Sequence, residues 1–534
     1  MMPPSVPTLF LTAQFIYHHQ NLIFPGVGAF ETAVQHLTKR GLLQPLRQYI
    51  SSGRPYFGIC IGMQVLFLSS DESPTPGLGV VPGPIQRFDS TLKAVPHIGW
   101  NAAEPLFATD QADLSYYYFV HSFCAKYNPD TYPDVAKWAH TTTQYGDELF
   151  ISSICKDNVF ATQFHPEKSG TAGLALLDAW IRNPGSQTPP DLGLFVQPTL
   201  KPKHHLTKRI VACMDVRAND EGDLVVTKGD QYDVREKVDP AAHALTANTA
   251  GAVRNLGKPV ALAARYYTSG ADELCFLNIT SFRHSPLRDQ PMLAVVRAAA
   301  ECVFVPLTIG GGIKDTIEPD GTKRSALEVA AAYFRAGADK VSIGSEAVYA
   351  VERLRSTGKR DGTSAIETIA HAYGSQAVVV SVDPRKVYVD LATYDGPYKD
   401  ELVLGGSGSS AHPDDGKAWW YQCTVSGGRE SRPVSVVELA RGVEILGAGE
   451  ILLNSIDRDG TGLGFDLALI NLVKRNVHIP VIASSGAGKE EHFTEVFNET
   501  DVEAGLAAGI FHRGEVGIQD TKKVLQRAGI QVRL

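Results

Sequence analysis

The sequence predicts an α/β chain in two parts, a doubly wound α/β domain followed by a (β/α)8 barrel, and three observations predict it. A proline-rich stretch interrupts the 534 residues near position 200. Behind it, eight short apolar runs alternate with helix-like segments. Ahead of it, a glycine-flanked cysteine sits between an apolar strand and a helix-like run. Length alone already calls for more than one hydrophobic core.

Residues 184–206 carry five prolines and no periodic apolar pattern. Proline stops helices and favours extended backbone, so this stretch is the expected linker between domains at 1–183 and 207–534. His204 and His205 lie within it and are expected to be solvated, since two adjacent histidines make no ligand set.

The eight runs begin at Arg209, Glu273, Phe304, Lys340, Ala377, Glu450, Pro480 and Ala504. Each is a mostly continuous apolar run rather than an alternating one, as parallel strands covered on both faces should be. Segments such as SALEVAAAYFRAGA and VVELARGVEILGAG carry helical periodicity, and eight strand–helix units suit a barrel of this size. Two insertions, around 318–324 and 388–432, are expected to decorate one rim. A faint internal repeat relates the halves: strands one and five both end in aspartate, Asp215 and Asp383, and ELCFLNIT echoes EILLNSID.

Composition narrows the function classes. Hydrophobic residues are 44% and charged residues 20%, with a formal net charge of −8. That balance argues against a general nucleic-acid or anionic-membrane surface. Seven cysteines lie scattered singly, which fits a reducing compartment better than a disulfide framework or zinc site. No apolar run is long enough to span a bilayer, and the first residues do not read as a signal peptide. A cytoplasmic chain is expected, with no metal and no organic cofactor.

GICIGMQVLF centres on Cys60. A strand, a nucleophile between glycines and then a helix is the layout of a nucleophile elbow, with the thiol at a helix N-terminus that favours thiolate. A lone cysteine is more often a core residue. QFHPEKSG supplies what a lone cysteine lacks: His165 as base and Glu167, two residues on, to orient it. In the barrel, Asp215 and Asp383 sit at the strand ends where barrel enzymes place their chemistry, and two carboxyls there can share general acid and base work. Small-residue loops at Gly311–Gly312, Gly344–Ser345, Ser485–Gly486 and Ala508–Gly509 expose backbone N–H groups suited to phosphate. Two such pairs, one per half, imply a substrate with two phosphates.

On these motifs residues 21–183 resemble a class I glutamine amidotransferase. LIFPGVGAF matches that family's oxyanion strand, placing backbone donors at Gly26, Val27 and Gly28. HIGWN and YYFVHSF resemble its histidine-biosynthesis subgroup. Residues 207–534, through SVDPRKV, GAGEILLNSIDRDGTGLGFD and PVIASSGAGK, resemble the cyclase subunit of imidazole glycerol phosphate synthase, and the whole resembles the fused fungal and plant form.

The resemblance implies a reaction. Glutamine is hydrolysed through a thioester on Cys60, and the ammonia reacts with N'-[(5'-phosphoribulosyl)formimino]-AICAR ribonucleotide to give imidazole glycerol phosphate and AICAR ribonucleotide. It implies Asp383 as general acid and Asp215 as general base, and Lys228, Asn454, Asp459 and Gly460 near substrate or phosphate. It also implies a ring of Arg209, Glu273, Lys340 and Glu450 at an ammonia entrance on the barrel face where the glutaminase docks. Glutamine and the bis-phosphorylated nucleotide-like compound are then the partners of a monomer, without nucleic acid or membrane.

The sequence departs from the pattern in one respect. The family's opening strand–helix unit, ahead of the oxyanion strand, has no counterpart in MMPPSVPTLFLTAQFIYHH. The alternative expectation is therefore an ammonia-dependent cyclase whose glutaminase is inactive or serves as a scaffold. A sugar-phosphate isomerase of the same pathway shares the half-barrel pattern but has no use for a glutaminase.

Overall fold

The computed structural model describes residues 16, 19–107, 114–184, 195–202, 204–218, 224–227, 258–279, 292–318, 320–405 and 414–534. Lys228 and most of the first eighteen residues lie outside them. Contacts divide the chain into two units. The first holds the chain up to Leu92, Asn101–Leu206 and Ala372–Gly374; the second holds Lys93–Trp100, Thr207–His371 and Ser375–Leu534.

The described part of the proline-rich stretch is tied to the first unit. Gln144 accepts the Lys201 N–H at 2.8 Å and donates to the Lys201 carbonyl at 2.9 Å, while Lys201 Nζ reaches Glu104 at 2.6 Å. His204 and His205, expected to be solvated, are half-buried. Proline removes the N–H donors that would build a helix; it leaves carbonyls and neighbouring amides free to bind side chains.

The first unit is built on a six-stranded mixed sheet. Leu22–Phe24, Tyr56–Ile59 and Val159–Thr162 run parallel, and Glu148–Lys156, Ala139–Tyr145 and Glu104–Pro105 continue it antiparallel. Tyr56–Ile59 is buried at all four positions. Helices Phe30–Lys39 and Leu43–Ser51 pack their apolar stripes, Phe30, Val34, Leu37, Leu46 and Ile50, into one core cluster. Phe57, Phe160 and Trp180 form another with Cys60.

The sequence reading expected a helix through MQVLFL after Cys60. The helix is a single turn, Ile61–Gln64, and Phe67–Ser70 is already a strand. Main-chain carbonyls that would continue the helix are taken by a returning segment: Leu78 N–H donates to Val65 O, and Val80 N–H to Leu66 O.

The second unit is a closed barrel of eight parallel strands, Arg209–Ala218, Glu273–Asn278, Leu307–Gly310, Lys340–Ile343, Val378–Val382, Glu450–Asn454, Val481–Ser484 and Ala504–Ala507. The first pairs with the eighth through Arg209 and Ala504. Each predicted apolar run forms one strand. Helices Ala326–Ala336 and Val436–Leu446 both open on a serine–glutamate capping box and close on a left-handed glycine, Gly337 and Gly447. The two insertions follow strands three and five. One is the hairpin Thr316–Ile317/Lys323–Arg324; the other is an antiparallel sheet of Pro384–Val389, Val403–Leu404, Ala418–Val425 and Glu430–Ser435. Both leave from the C-terminal ends of parallel strands, so both belong to one rim.

The elbow is held by close backbone approach. A Cβ on Gly62 would lie 2.0 Å from the Phe24 carbonyl oxygen, where the helical turn Ile61–Gln64 packs against the end of the strand Leu22–Phe24. Gly62→Ala should therefore destabilise the first unit by about 1–3 kcal/mol, read as a lower urea midpoint for that unit with the barrel transition unmoved.

Candidate active site

Cys60 sits at φ 52°, ψ −103° directly after its strand. A non-glycine residue is held in that region only by surrounding constraint. Here the Cys60 N–H donates to the Thr162 carbonyl at 2.7 Å, and the flanking glycines admit the neighbouring backbone. The single helical turn that follows makes the expected dipole contribution small. The charge partner is an imidazole instead.

His165 is buried, and its Nδ1 lies 2.8 Å from Glu167 Oε1. The two side chains do not meet by strand alternation, as the spacing had suggested. Pro166–Lys168 forms a 3-10 turn that brings the carboxylate back onto the ring. The His165 backbone is pinned by its N–H to Tyr118 O at 2.9 Å and by Ser169 Oγ donating to His165 O at 2.6 Å. Burial opposes protonation of the imidazole, but the Glu167 carboxylate and the Cys60 sulfur outweigh it and hold its pKa well above the ordinary value. Burial would likewise raise the Glu167 carboxyl; His165 outweighs it and lowers that pKa. The centre thus favours an imidazolium beside the Cys60 sulfur, oriented by Glu167, the arrangement of a cysteine with its base.

The loop Gly26, Val27 and Gly28 leaves the strand Leu22–Phe24, which pairs in register with Tyr56–Gly58. A Cβ on Gly26 would meet Ile61 Cγ2 at 2.8 Å. The loop therefore runs against the residue next to the nucleophile, where oxyanion donors belong.

In the barrel, strand alternation sends every second residue inward. Arg209, Glu273, Lys340 and Glu450 open strands one, two, four and six, and all are fully buried. They form a closed ring of alternating charge. Arg209 pairs with Glu273 at 2.8 Å and with Glu450; Lys340 reaches Glu273 and Glu450 at 2.6 Å each. Thr308 Oγ1 also donates to Glu273 at 2.6 Å. Burial raises the Glu273 carboxyl, yet Lys340 and Arg209 outweigh it and lower its pKa. Further along the bore the lining is apolar: Val211, Cys213, Cys275, Val379, Leu452, Ile482 and Leu506 cluster there.

At the other end stand the two aspartates. Asp215 lies opposite Leu277 in strand two's register, and Asp383 follows Val382, the last residue of strand five. Strands one and five are four apart in a closed eight, so the two acids share one rim from opposite sides. Burial raises the Asp383 pKa, against hydrogen bonds from Asn454 and Ser381. Asn454 Nδ2 donates to Asp383 Oδ1 at 2.7 Å and to Ser381 Oγ at 3.0 Å. Asn454, expected near substrate or phosphate, thus also holds the Asp383 carboxyl. Thr424, from the large insertion, donates through Oγ1 to the Asp383 carbonyl at 2.7 Å. Sequence reasoning missed Ser381 and Thr424. Ser381 was within reach, two residues before the acid on the same strand face; Thr424 is distant and carried no signal.

The small-residue loops occupy this rim. Gly311 and Gly312 both take positive φ, as do Ser485, Gly486 and Gly460. Asp459 ends the 3-10 turn Ile456–Arg458, and a Cβ on Gly486 would lie 2.2 Å from Gly464 O. Gly344 precedes the helix Ser345–Thr357, and Ala508 precedes the short helix Gly509–His512. The Ser345 hydroxyl already accepts the Ser426 N–H at 2.9 Å.

Two family profiles match the chain. Residues 12–181 match that of the class-I glutamine amidotransferases, and residues 209–517 match that described as histidine biosynthesis protein. The chain is 51% identical over 524 residues to imidazole glycerol phosphate synthase hisHF of Emericella nidulans, covering 96% of this chain and 92% of that one. The chain belongs to the imidazole glycerol phosphate synthase family. It is also 51% identical to the chloroplastic hisHF of Arabidopsis thaliana, over 97% of this chain and 84% of that one. The HisF subunit of Natronomonas pharaonis, 39% identical, aligns over 62% of this chain and 99% of its own length. In this family, then, the barrel also occurs as a separate subunit.

Two predictions follow from the barrel's charges. Glu450→Gln leaves Arg209 and Lys340 short of a buried counter-charge and should cost about 3–5 kcal/mol, measured by urea unfolding of the barrel. Asp383 has a folded pKa above its ordinary 3.8, so its buried carboxylate costs stability once pH rises past 3.8, and fully so above the folded value. Asp383→Asn should therefore raise the thermal midpoint at pH 7 relative to wild type, with the gain vanishing toward pH 3.

Proposed function

We propose that this chain is an imidazole glycerol phosphate synthase carrying glutaminase and cyclase on one polypeptide. The observation that carries the reading is the Cys60–His165–Glu167 relay on the same chain as a barrel whose opposed strands one and five end in acids. Cys60 Sγ attacks the glutamine side-chain carbonyl, backbone donors of the Gly26–Gly28 loop receive the oxyanion, and His165 protonates the leaving amide nitrogen, which departs as ammonia. Water then releases glutamate from the thioester, giving its proton to His165.

In the barrel, ammonia reacts with the ribulosyl end of N'-[(5'-phosphoribulosyl)formimino]-AICAR ribonucleotide. Asp383, whose burial favours the protonated carboxyl, serves as general acid, and Asp215 as general base. The products are imidazole glycerol phosphate and AICAR ribonucleotide. The positive-φ loops at Gly311–Gly312 and Ser485–Gly486, with Gly344–Ser345 and Ala508–Gly509, suit the two phosphates at either end of such a substrate. We read the ring of Arg209, Glu273, Lys340 and Glu450 as the point where ammonia enters the bore. The apolar layer beyond it favours neutral ammonia over ammonium. Seven free cysteines suit a cytoplasmic chain, and with both activities on one polypeptide a monomer suffices.

Cys60→Ala should abolish turnover with glutamine, by at least about three orders of magnitude, while turnover with added ammonium salt persists. Glutamate release and imidazole glycerol phosphate formation are followed in parallel. A wild-type chain that forms product from ammonia but never releases glutamate, at any level of barrel ligand, leaves only the ammonia-dependent cyclase.

A further inference from the structure

We infer that Gln163 is a further catalytic residue of the glutaminase centre, donating a side-chain N–H to the Cys60 sulfur and thereby holding it as the thiolate. The inference rests on the glutaminase reading above and deepens it.

Gln163 Nε2 lies 3.5 Å from Cys60 Sγ, within hydrogen-bond reach of sulfur. The direction of that amide is set by a second one. Gln64 Nε2 donates to the Phe123 carbonyl at 3.0 Å and to Gln163 Oε1 at 3.0 Å. A main-chain carbonyl can only accept, so the Gln64 nitrogen must face it. That same nitrogen then meets the Gln163 oxygen, which turns the Gln163 nitrogen toward the sulfur. Flipping Gln64 would set oxygen against oxygen, and flipping Gln163 would set nitrogen against nitrogen.

Burial excludes a space-filling role. Gln163 is fully buried and Gln64 nearly so. A buried amide costs free energy unless its donors and acceptor are met, and an apolar side chain would fill the position without that cost. The backbone explains why Gln163 can reach the thiol at all. Its N–H donates to Ser152 O at 2.8 Å, and after the strand Val159–Thr162 the chain bends through Gln163 and Phe164 into His165. Gln163 and His165 both meet Cys60: one by a neutral donor, the other by charge. Glu167 acts only through His165.

The chemistry follows from what sulfur does in each step. A thiolate accepts a hydrogen bond far better than a thiol, so a fixed donor favours the anion that attacks. On attack the C–S bond forms and the C–N bond breaks; His165 gives its proton to the leaving nitrogen and ammonia departs. In the second step water adds, the C–S bond breaks, and its electron pair returns to sulfur as thiolate while His165 takes up the proton. The Gln163 donor stabilises sulfur where it is negative, at the start and at the end. Being neutral, it does not compete with His165 for a proton.

The test uses the full chain as wild type, Gln163→Met, Gln163→Glu and Cys60→Ala, alkylated with iodoacetamide across pH. Modification is read at the Cys60 peptide by mass spectrometry, and glutaminase kinetics are measured alongside. Methionine keeps the volume and removes the donor, so the alkylation midpoint should rise by about one pH unit. Glutaminase kcat should fall about tenfold, with KM for glutamine within about twofold of wild type. Glutamate, near in shape but anionic, should raise the midpoint further, and it decides the matter if the methionine variant does not fold. A folded variant with the wild-type midpoint overturns the inference, as does a raised KM at unchanged kcat, which would make Gln163 a glutamine-binding group. If the wild-type chain releases no glutamate, the glutaminase reading fails by itself, and the midpoint shift still decides whether Gln163 holds the thiolate.

Discussion

Four charges sealed from water have to neutralise one another, and that requirement fixes the register of the barrel. Arg209, Glu273, Lys340 and Glu450 can close their ring only if each opens its strand on the inward face. Once Arg209 points inward, Val211, Cys213 and Asp215 must follow at every second position. The same count carries strand six from Glu450 through Leu452 to Asn454. A slip of one residue would expose the acids outside the bore and bury the charges among helices. Ring, apolar layer and catalytic rim are therefore three consequences of one register.

The first unit depends on a tighter constraint over fewer atoms. The Cys60 backbone is held at positive φ because the Thr162 carbonyl takes its N–H on one side and the Phe24 carbonyl crowds Gly62 on the other. Three parallel strands thus converge on one residue. The segment that supplies Thr162 continues directly into His165, so the hydrogen bond that strains the nucleophile also delivers its base. The strain and the catalytic alignment have a single source.

Much of this was legible in the sequence, for reasons that can be stated. Continuous apolar runs bounded by glycine fixed the eight strands, and a cysteine between two glycines fixed the elbow, because few side chains survive there. The aspartates at 215 and 383 were found by the repeat. What escaped was decided by partners distant in the chain. The helix after Cys60 stops after one turn because residues 78 and 80 take its carbonyls. Asn454 was expected near substrate or phosphate, and its bond to Asp383 on the neighbouring strand carried no signal. The His165–Glu167 contact was anticipated correctly from the wrong geometry: a 3-10 turn, not strand alternation, makes it. The grouping of Lys93–Trp100 with the second unit had no local signal at all.

The assignment of acid and base in the proposed reaction can be pressed one step further on physical grounds. A carboxyl that donates a proton must hold it at neutral pH, and burial moves Asp383 in that direction. The hydrogen bond from Asn454 Nδ2 arrives at Oδ1, where an N–H excludes a second proton on the same line. In the protonated carboxyl the proton therefore belongs on Oδ2. Asn454 and Ser381 both donate to Oδ1 and keep the carboxyl from rotating, while Thr424 holds the Asp383 backbone by its carbonyl. Rotation would exchange the two oxygens and turn the proton away from the substrate. The large insertion, which supplies Thr424, is in this sense part of the acid and not merely a decoration of the rim.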